Sequence, residues 1–318
     1  MKKILLITLA AAVLAACKKG GENDGTLTTI PGRITMVSQM SGTMKIKLSG
    51  PVTAFIDWGD GTSDTNVLWD YPILCAHDYP DTISRTIVII CYNITSLDCS
   101  SDQLTSLNVS EAITLTDLNC GSNQLRSLDV SKNIALTDLN CMYNQLQTLD
   151  VSKNIALTDL SCLFNKLTSL NVNGAIALTD LYCYNNKLQS LDVSKNNALT
   201  TLDCDNNQLT SLDVSKNIAL TGLNCYNNKL QSLDVSKNNA LTTLYCGNNQ
   251  LTSLDASKNI ALTTLNCYGN QLTTDALNTF FATLNTISGD KQLFIGNNPG
   301  TNTCDRSIAT KKGWWVAN

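Results

Sequence analysis

From residue 94 onward the apolar positions recur every 21 residues, and nine in-phase copies begin at Ile94, Leu115, Leu136, Leu157, Leu178, Leu199, Leu220, Leu241 and Leu262. The shared pattern is LxxLxCxxNxLxxLDVSxNxA. Within it the Leu-x-Cys triplet alternates in, out, in, the period of a short strand with one buried face. The later Leu-Asp-Val triplet alternates the same way and predicts a second extended segment on the back of every copy. One 21-residue unit is too small to bury its own leucines. Stacked at the roughly 4.8 Å of neighbouring strands, each Leu meets its counterparts above and below, so the pattern predicts a mainly β solenoid over residues 93–273.

The first half of the copy, LxxLxCxxNxL, resembles the leucine-rich repeat with Cys at the third Leu position. With its near-duplicate second half it is similar to the IRREKO class of bacterial leucine-rich repeats over residues 94–282. The Asn column at Asn123, Asn144, Asn165, Asn186, Asn207, Asn228, Asn249 and Asn270 is expected to turn inward and satisfy backbone groups at the bend. A second column at Asn133, Asn154, Asn196, Asn217, Asn238 and Asn259 is expected to do the same at the other corner.

Nine cysteines from Cys99 to Cys267 share one internal column. Strand spacing of about 4.8 Å exceeds the Cβ separation of a disulfide, roughly 3.5–4.5 Å, and a linear column cannot converge on one zinc ion. They read as small buried hydrophobes. Cys75 and Cys91 lie outside the repeats and leave a disulfide open, and Cys304 has no partner by spacing.

Before the repeats, residues 26–92 alternate in short strand-like runs. The hairpin Asp57-Trp58-Gly59-Asp60-Gly61-Thr62 with His77 and Tyr79 resembles the PKD family, which implies a small immunoglobulin-like β-sandwich; the stretch VLWDYPILC departs from that pattern. Gly59 and Gly61 suit a tight turn. Asp57, Asp60 and Asp64 do not follow a calcium-loop spacing, and His77, the one histidine in the chain, reads as a packed sandwich residue. After Leu272 the repeat decays. Thr274 is expected to cap a helix with Ala276, Leu277, Phe280, Phe281 and Leu284 on one face, LFIGNNPG to add a repeat-like strand, and CDRSIATKKGWW to form a last short helix ending at Gly313. Residues 274–318 therefore read as a cap on the solenoid's last coil.

The chain opens on Lys2 and Lys3 and an apolar run from Ile4 to Ala16, a signal peptide over residues 1–16. Leu14-Ala15-Ala16-Cys17 resembles the bacterial lipobox. That resemblance implies lipidation of Cys17, a flexible tether over 17–25 and, with Lys18 in place of an aspartate, an outer-membrane lipoprotein of a Gram-negative bacterium facing the cell surface. Removing Lys2 and Lys3 from 22 basic residues leaves 20 against 26 acidic ones, a net charge of −6. That balance argues against nucleic acid.

Where the copies differ, they vary at the outward positions around Leu-x-Cys. Asp117, Asp138, Asp159 and Asp180 form one column, giving way to Thr201, Gly222, Thr243 and Thr264. Beside them stand Met142, Tyr143, Leu163, Phe164, Tyr182, Tyr184, Tyr226, Tyr245 and Tyr268, which are expected to be exposed as a binding face. The other side carries an Asp column and a Lys column, read as a solvated charge ladder. The expectation is a monomeric, non-catalytic surface scaffold without cofactor or metal. Its ligand-binding residues are Tyr143, Phe164, Tyr182, Tyr184, Tyr226, Tyr245, Tyr268, Asp138, Asp159 and Asp180. Its ligand is an extracellular protein, as in leucine-rich-repeat adhesins, or a glycan in polysaccharide capture. An enzyme is disfavoured by the lack of a nucleophile–base set, a metal-ligand cluster or a phosphate loop.

Overall fold

The structure, a computed structural model, describes residues 31–51 and 53–318. The expected signal peptide, the tether and Cys17 lie outside the described residues. Six antiparallel strands come first: β1 (Gly32–Ser38), β2 (Gly42–Ser49), β3 (Thr53–Asp57), β4 (Ser63–Val67), β5 (Ile73–Tyr79) and β6 (Arg85–Cys91). Alternation sets their faces: in β2, Met44, Ile46 and Leu48 are buried while Thr43, Lys45 and Lys47 are exposed.

These strands run on into the repeats. The first coil contributes β7 (Ser96–Asp98) and β8 (Leu104–Asn108). β1 pairs with β8, giving the order β4-β3-β6-β1-β8, and β2 pairs with β7 at the head of a 13-stranded sheet. Beyond β7 that sheet is parallel, one three-residue strand per coil, with Leu97, Leu118, Leu139, Leu160, Leu181, Leu202, Leu223, Leu244 and Leu265 in strict register. A single buried cluster runs from Ile34 to Trp314. The N-terminal strands thus form a unit continuous with the first coil, whose open end they cover.

The motif residues of that unit hold its turn. Trp58 donates its ring N–H to Asp64 at 2.7 Å and stacks on His77, which bonds Asp60 at 2.7 Å, while the Tyr79 hydroxyl donates to the Trp58 carbonyl. Asp57 and Asp60 accept from the Gly59 and Thr62 backbone N–H groups. These carboxylates are engaged within the turn.

Both Asn columns turn inward, with different completeness. Asn207 donates to the carbonyls of Cys183, Cys204 and Asp205, and its Oδ1 accepts from Leu188 N–H at 3.0 Å. In the second column Asn217 donates to Val193 and Asn196, but its Oδ1 is buried without a partner, as it is in the other five members. A third column was not read from the sequence: Thr116, Thr137, Thr158, Thr179 and Thr200 each donate a hydroxyl to the same Thr's carbonyl one coil back, at 3.0–3.2 Å for the first and last. The recurring Leu-Thr dipeptide was its signal.

The expected back strand on every coil is not found. Past β8, paired strands occur on that side only at Thr148–Asp150 and Ser169–Asn171. The Leu-Asp-Val aspartates turn on themselves throughout, Asp213 Oδ1 accepting from Ser215 N–H two residues on, and Asp150 keeps the same bond to Ser152 even in its paired strand. That pairing follows from sequence. Coil 157 reads Asn171-Val-Asn-Gly174-Ala175 where others read Asp-Val-Ser-Lys-Asn, and a Cβ on Gly174 would lie 1.8 Å from the Ser152 carbonyl oxygen. Only glycine permits that approach.

At the C-terminal end, α1 (Thr274–Thr283) is capped by Thr273 rather than Thr274, its hydroxyl accepting from Ala276 N–H. Leu277, Phe280, Phe281 and Leu284 are buried, whereas Ala276 is half-buried. Strand Lys291–Phe294 continues the parallel sheet; α2 (Ser307–Thr310) is shorter than expected, ending before Lys311, and an unforeseen strand, Trp314–Ala317, follows.

Candidate binding face

On the 13-stranded sheet, one side points every Leu and Cys into the core and the other presents what lies between them. Asp117, Asp138, Asp159 and Asp180 stand directly opposite one another on consecutive strands. Thr116, Thr137 and Thr179 hydroxyls, each also facing the carbonyl one coil back, share their single proton with the aspartate that follows. Beside this row runs a second, Asn119, Asn140, Ser161 and Tyr182, and with Asp117, Asp138, Asp159, the leucines between and Asp98 it lines a groove of about 250 Å³.

The aspartate row does not stop at Asp180; it steps sideways. In the next coil, Asp203 sits in register with Tyr182, and Asp205 follows two residues on. Both are half-buried, and burial together with Asp203 pushes the Asp205 carboxyl up to about 6. The sequence reading missed Asp203 and Asp205 because it followed one column. The signal was present in the i, i+2, i+4 set Thr201, Asp203, Asp205.

The predicted aromatics divide into three groups. Tyr143 and Phe164 lie past the strands, at a turn where each backbone is left-handed (φ 51° and 50°), while the same position in later coils holds Asn185, Asn206, Asn227 and Asn248. Asparagine is the residue that tolerates this region, and bulky rings there are outliers. The rings stack at 4.4 Å and 8°, and Phe164 meets Tyr184 edge-on at 5.5 Å. Tyr182 and Tyr245 project from the sheet itself and are exposed, as are Tyr143 (49%) and Phe164 (38%).

The remaining aromatics depart from the expectation of full exposure. Tyr184, Tyr226 and Tyr268 are half-buried and Leu163 is buried. A neighbouring glycine explains two of them: a Cβ on Gly247 would lie 2.5 Å from the Tyr226 ring, and one on Gly296 would lie 2.9 Å from the Tyr268 ring, so each ring lies down over the next coil. The Tyr268 hydroxyl is also held by the Asn297 amide. Tyr268 therefore packs onto the cap.

The cysteine column lies wholly behind this face. All twelve described cysteines are free thiols, Cys75 and Cys91 included, and every one from Cys99 to Cys267 is fully buried. Burial pushes the Cys120 and Cys246 thiols up to about 12 and the other seven well above the ordinary value. Fully buried and kept as thiols by that burial, they are shielded from attack by reagents in solution. No group of three or more His, Cys, Asp or Glu side chains among the described residues is arranged to hold a metal ion.

Coils of 21 residues stacked in register, each with one parallel strand and, after the first coil, an inward Asn at its ninth position, decide the fold. It is a leucine-rich-repeat solenoid. The functional domain of InlJ from Listeria monocytogenes, a structure that includes a cysteine ladder, is 41% identical over 68% of this chain, with a TM-score of 0.60; this chain spans 47% of that one, about half its length. The leucine-rich-repeat domain of APL1B is 24% identical over 66% of this chain and 61% of that one, with a TM-score of 0.51, a likeness of fold alone. No protein-family profile and no curated protein matches the chain.

Proposed function

We propose that the protein is a non-catalytic binding scaffold whose sheet face recognises an extracellular protein. The observation that carries this reading is the variation itself. Residues that close the coils repeat with little change, whereas the outward residues of the parallel sheet and of the turn beside it change from coil to coil and include exposed rings at Tyr182 and Tyr245 on the sheet and at Tyr143 and Phe164 on the turn. Rigid aromatic side chains supply contact area at small entropic cost, which is how a few residues dominate an interface. The likeness to the InlJ functional domain supports a binding role of this kind.

The leader and Cys17 support a lipid-anchored protein of the outer membrane, displayed outward and monomeric, with the PKD-like unit as both spacer and N-terminal cap. No helix among the described residues is long and apolar enough to cross a membrane. A glycan is the second reading, favoured by the register pairs Tyr182 with Asp203 and Asn224 with Tyr245, each a ring beside a hydrogen-bonding group.

A photo-crosslinking residue at position 182 should trap a protein on intact cells, while the same residue at position 216, on the opposite face, should not. Adducts at both positions alike, or a glycan captured on an array with no protein adduct at position 182, would overturn the protein reading. Protease shaving of intact cells should remove the chain if it faces outward.

A further inference from the structure

The geometry points to a cationic, arginine-bearing extended segment of a protein as the occupant of the first half of the sheet face, seated between the aspartate row and the Tyr143–Phe164–Tyr184 ridge. The inference rests on the scaffold reading above and names the chemistry of its partner. It starts from the ridge, where two coils place large exposed rings at a turn that four later coils build from asparagine. The fold does not ask for them. Asn206, Asn227 and Asn248 show what it does ask for, since the last two each donate an amide N–H to the asparagine one coil back, at 2.8 and 2.7 Å.

What covers the ridge is set by charge. Four carboxylates stand opposite one another at strand spacing, an arrangement in which like charges destabilise a sheet. Later coils fill the position with Thr201, Gly222, Thr243 and Thr264, so again the fold has a cheaper choice. Three ion pairs occur among the described residues, and none involves this row: Lys47 with Asp98, His77 with Asp60, and Arg85 with Asp81. The opposite face forms no ion pair among the described residues either, but there one aspartate column runs beside a lysine column and its carboxylates accept Ser backbone N–H groups, whereas this row has no lysine column beside it and Asp117, Asp138 and Asp180 have only a Thr hydroxyl.

Row and ridge form one surface. In coil 178, Asp180, Tyr182 and Tyr184 are i, i+2 and i+4, so they leave the same side of the chain while Leu181 and Cys183 enter the core. Asp159, Asp180 and Asp203 all act on the Tyr182 hydroxyl, and Asp203 acts on Tyr184. A guanidinium can pair with the carboxylates and lie on a ring face at once, which a lysine or a neutral sugar does less well. The second half of the solenoid has Thr or Gly at the aspartate positions, so its exposed Tyr245 and half-buried Tyr226 and Tyr268 stand without a carboxylate row beside them.

The test uses the full chain and peptides of alternating glycine with arginine, lysine or glutamate, each about eight residues long, enough to cross four coils of roughly 4.8 Å. The arginine peptide should bind at least about tenfold tighter than the glutamate peptide, with affinity falling as salt rises. Asp138→Asn/Asp159→Asn/Asp180→Asn should lose about tenfold or more, yet unfold at a higher temperature because the repulsion is gone. Tyr143→Asn/Phe164→Asn should bring the arginine peptide down to the lysine peptide's affinity.

Asp213→Asn/Asp234→Asn, on the opposite face, should bind as wild type within about twofold. An equal loss in that control, or no binding by the arginine peptide, overturns the cationic partner. So does occupancy of the same residues by a neutral oligosaccharide or by a second copy, the latter seen as concentration-dependent sedimentation. A protein adduct from position 182 together with a failed peptide assay would leave the scaffold reading standing and remove this one.

Discussion

The two asparagine columns show how a repeated residue can carry unequal weight. Asn207 satisfies donors and acceptors in two coils with both ends of its amide, so removing it orphans buried carbonyls and the Leu188 N–H together. Asn217 offers two donor bonds but keeps an unpaired buried oxygen, and the chain already replaces its equivalents with Ala112 and Ala175. Asn207→Ala is therefore expected to cost about 2–4 kcal/mol and Asn217→Ala about half as much. Urea unfolding of the two variants checks the ranking, and equal losses would show that the second oxygen finds a partner, such as a buried water.

At the scale of the coil, the cysteine column behaves as a core element rather than a chemical one. Nine thiols behind the sheet are fully buried with raised pKa, while Cys304 near α2 is half-buried. A short maleimide treatment of the native protein should label Cys304 among the described cysteines and spare the column, whereas treatment in denaturant should label all twelve; a labelled column in the native state would mean that coils open readily. The inward half of each coil was legible because burial depends on periodicity, and Leu-x-Cys repeats in phase. The back of the coil was not, because pairing there goes with the close approach that Gly174 permits, and the repeat carries lysine at that position in the coils on either side. Nor was the posture of Tyr226 or Tyr268, which is decided by a glycine one coil away, at Gly247 and Gly296, rather than by the tyrosine's own context.

For the whole molecule, the junction that the sequence reading placed at residue 93 is a continuous pair of sheets, and one residue marks where it is made. Asp102 occupies the position that every later coil fills with asparagine. An asparagine there would lack the preceding-coil carbonyl that each later member bonds; the carboxylate accepts from Lys45 N–H of β2 at 3.0 Å, and the Asp102 carbonyl accepts from Ser38 of β1. The group is 2% exposed, its second oxygen is unpaired, and burial, with Asp98 nearby, pushes its carboxyl up to about 7. A folded value above the unfolded one means that the native state holds the proton more tightly. The contribution is then full below the ordinary carboxylate value near 4 and is lost as pH rises through 7, by up to about 4 kcal/mol. The junction should be firmer at pH 5 than at pH 8, and Asp102→Asn should flatten that difference while leaving the distant coils unchanged. Hydrogen exchange of β1, β2 and β7 against the Thr243–Tyr245 strand, measured at both pH values, separates the two. Lower protection of β2 at pH 5 than at pH 8, after correction for the intrinsic pH dependence of exchange and relative to the Thr243–Tyr245 strand, would reverse the sign and place the stabilising form of Asp102 on the charged side.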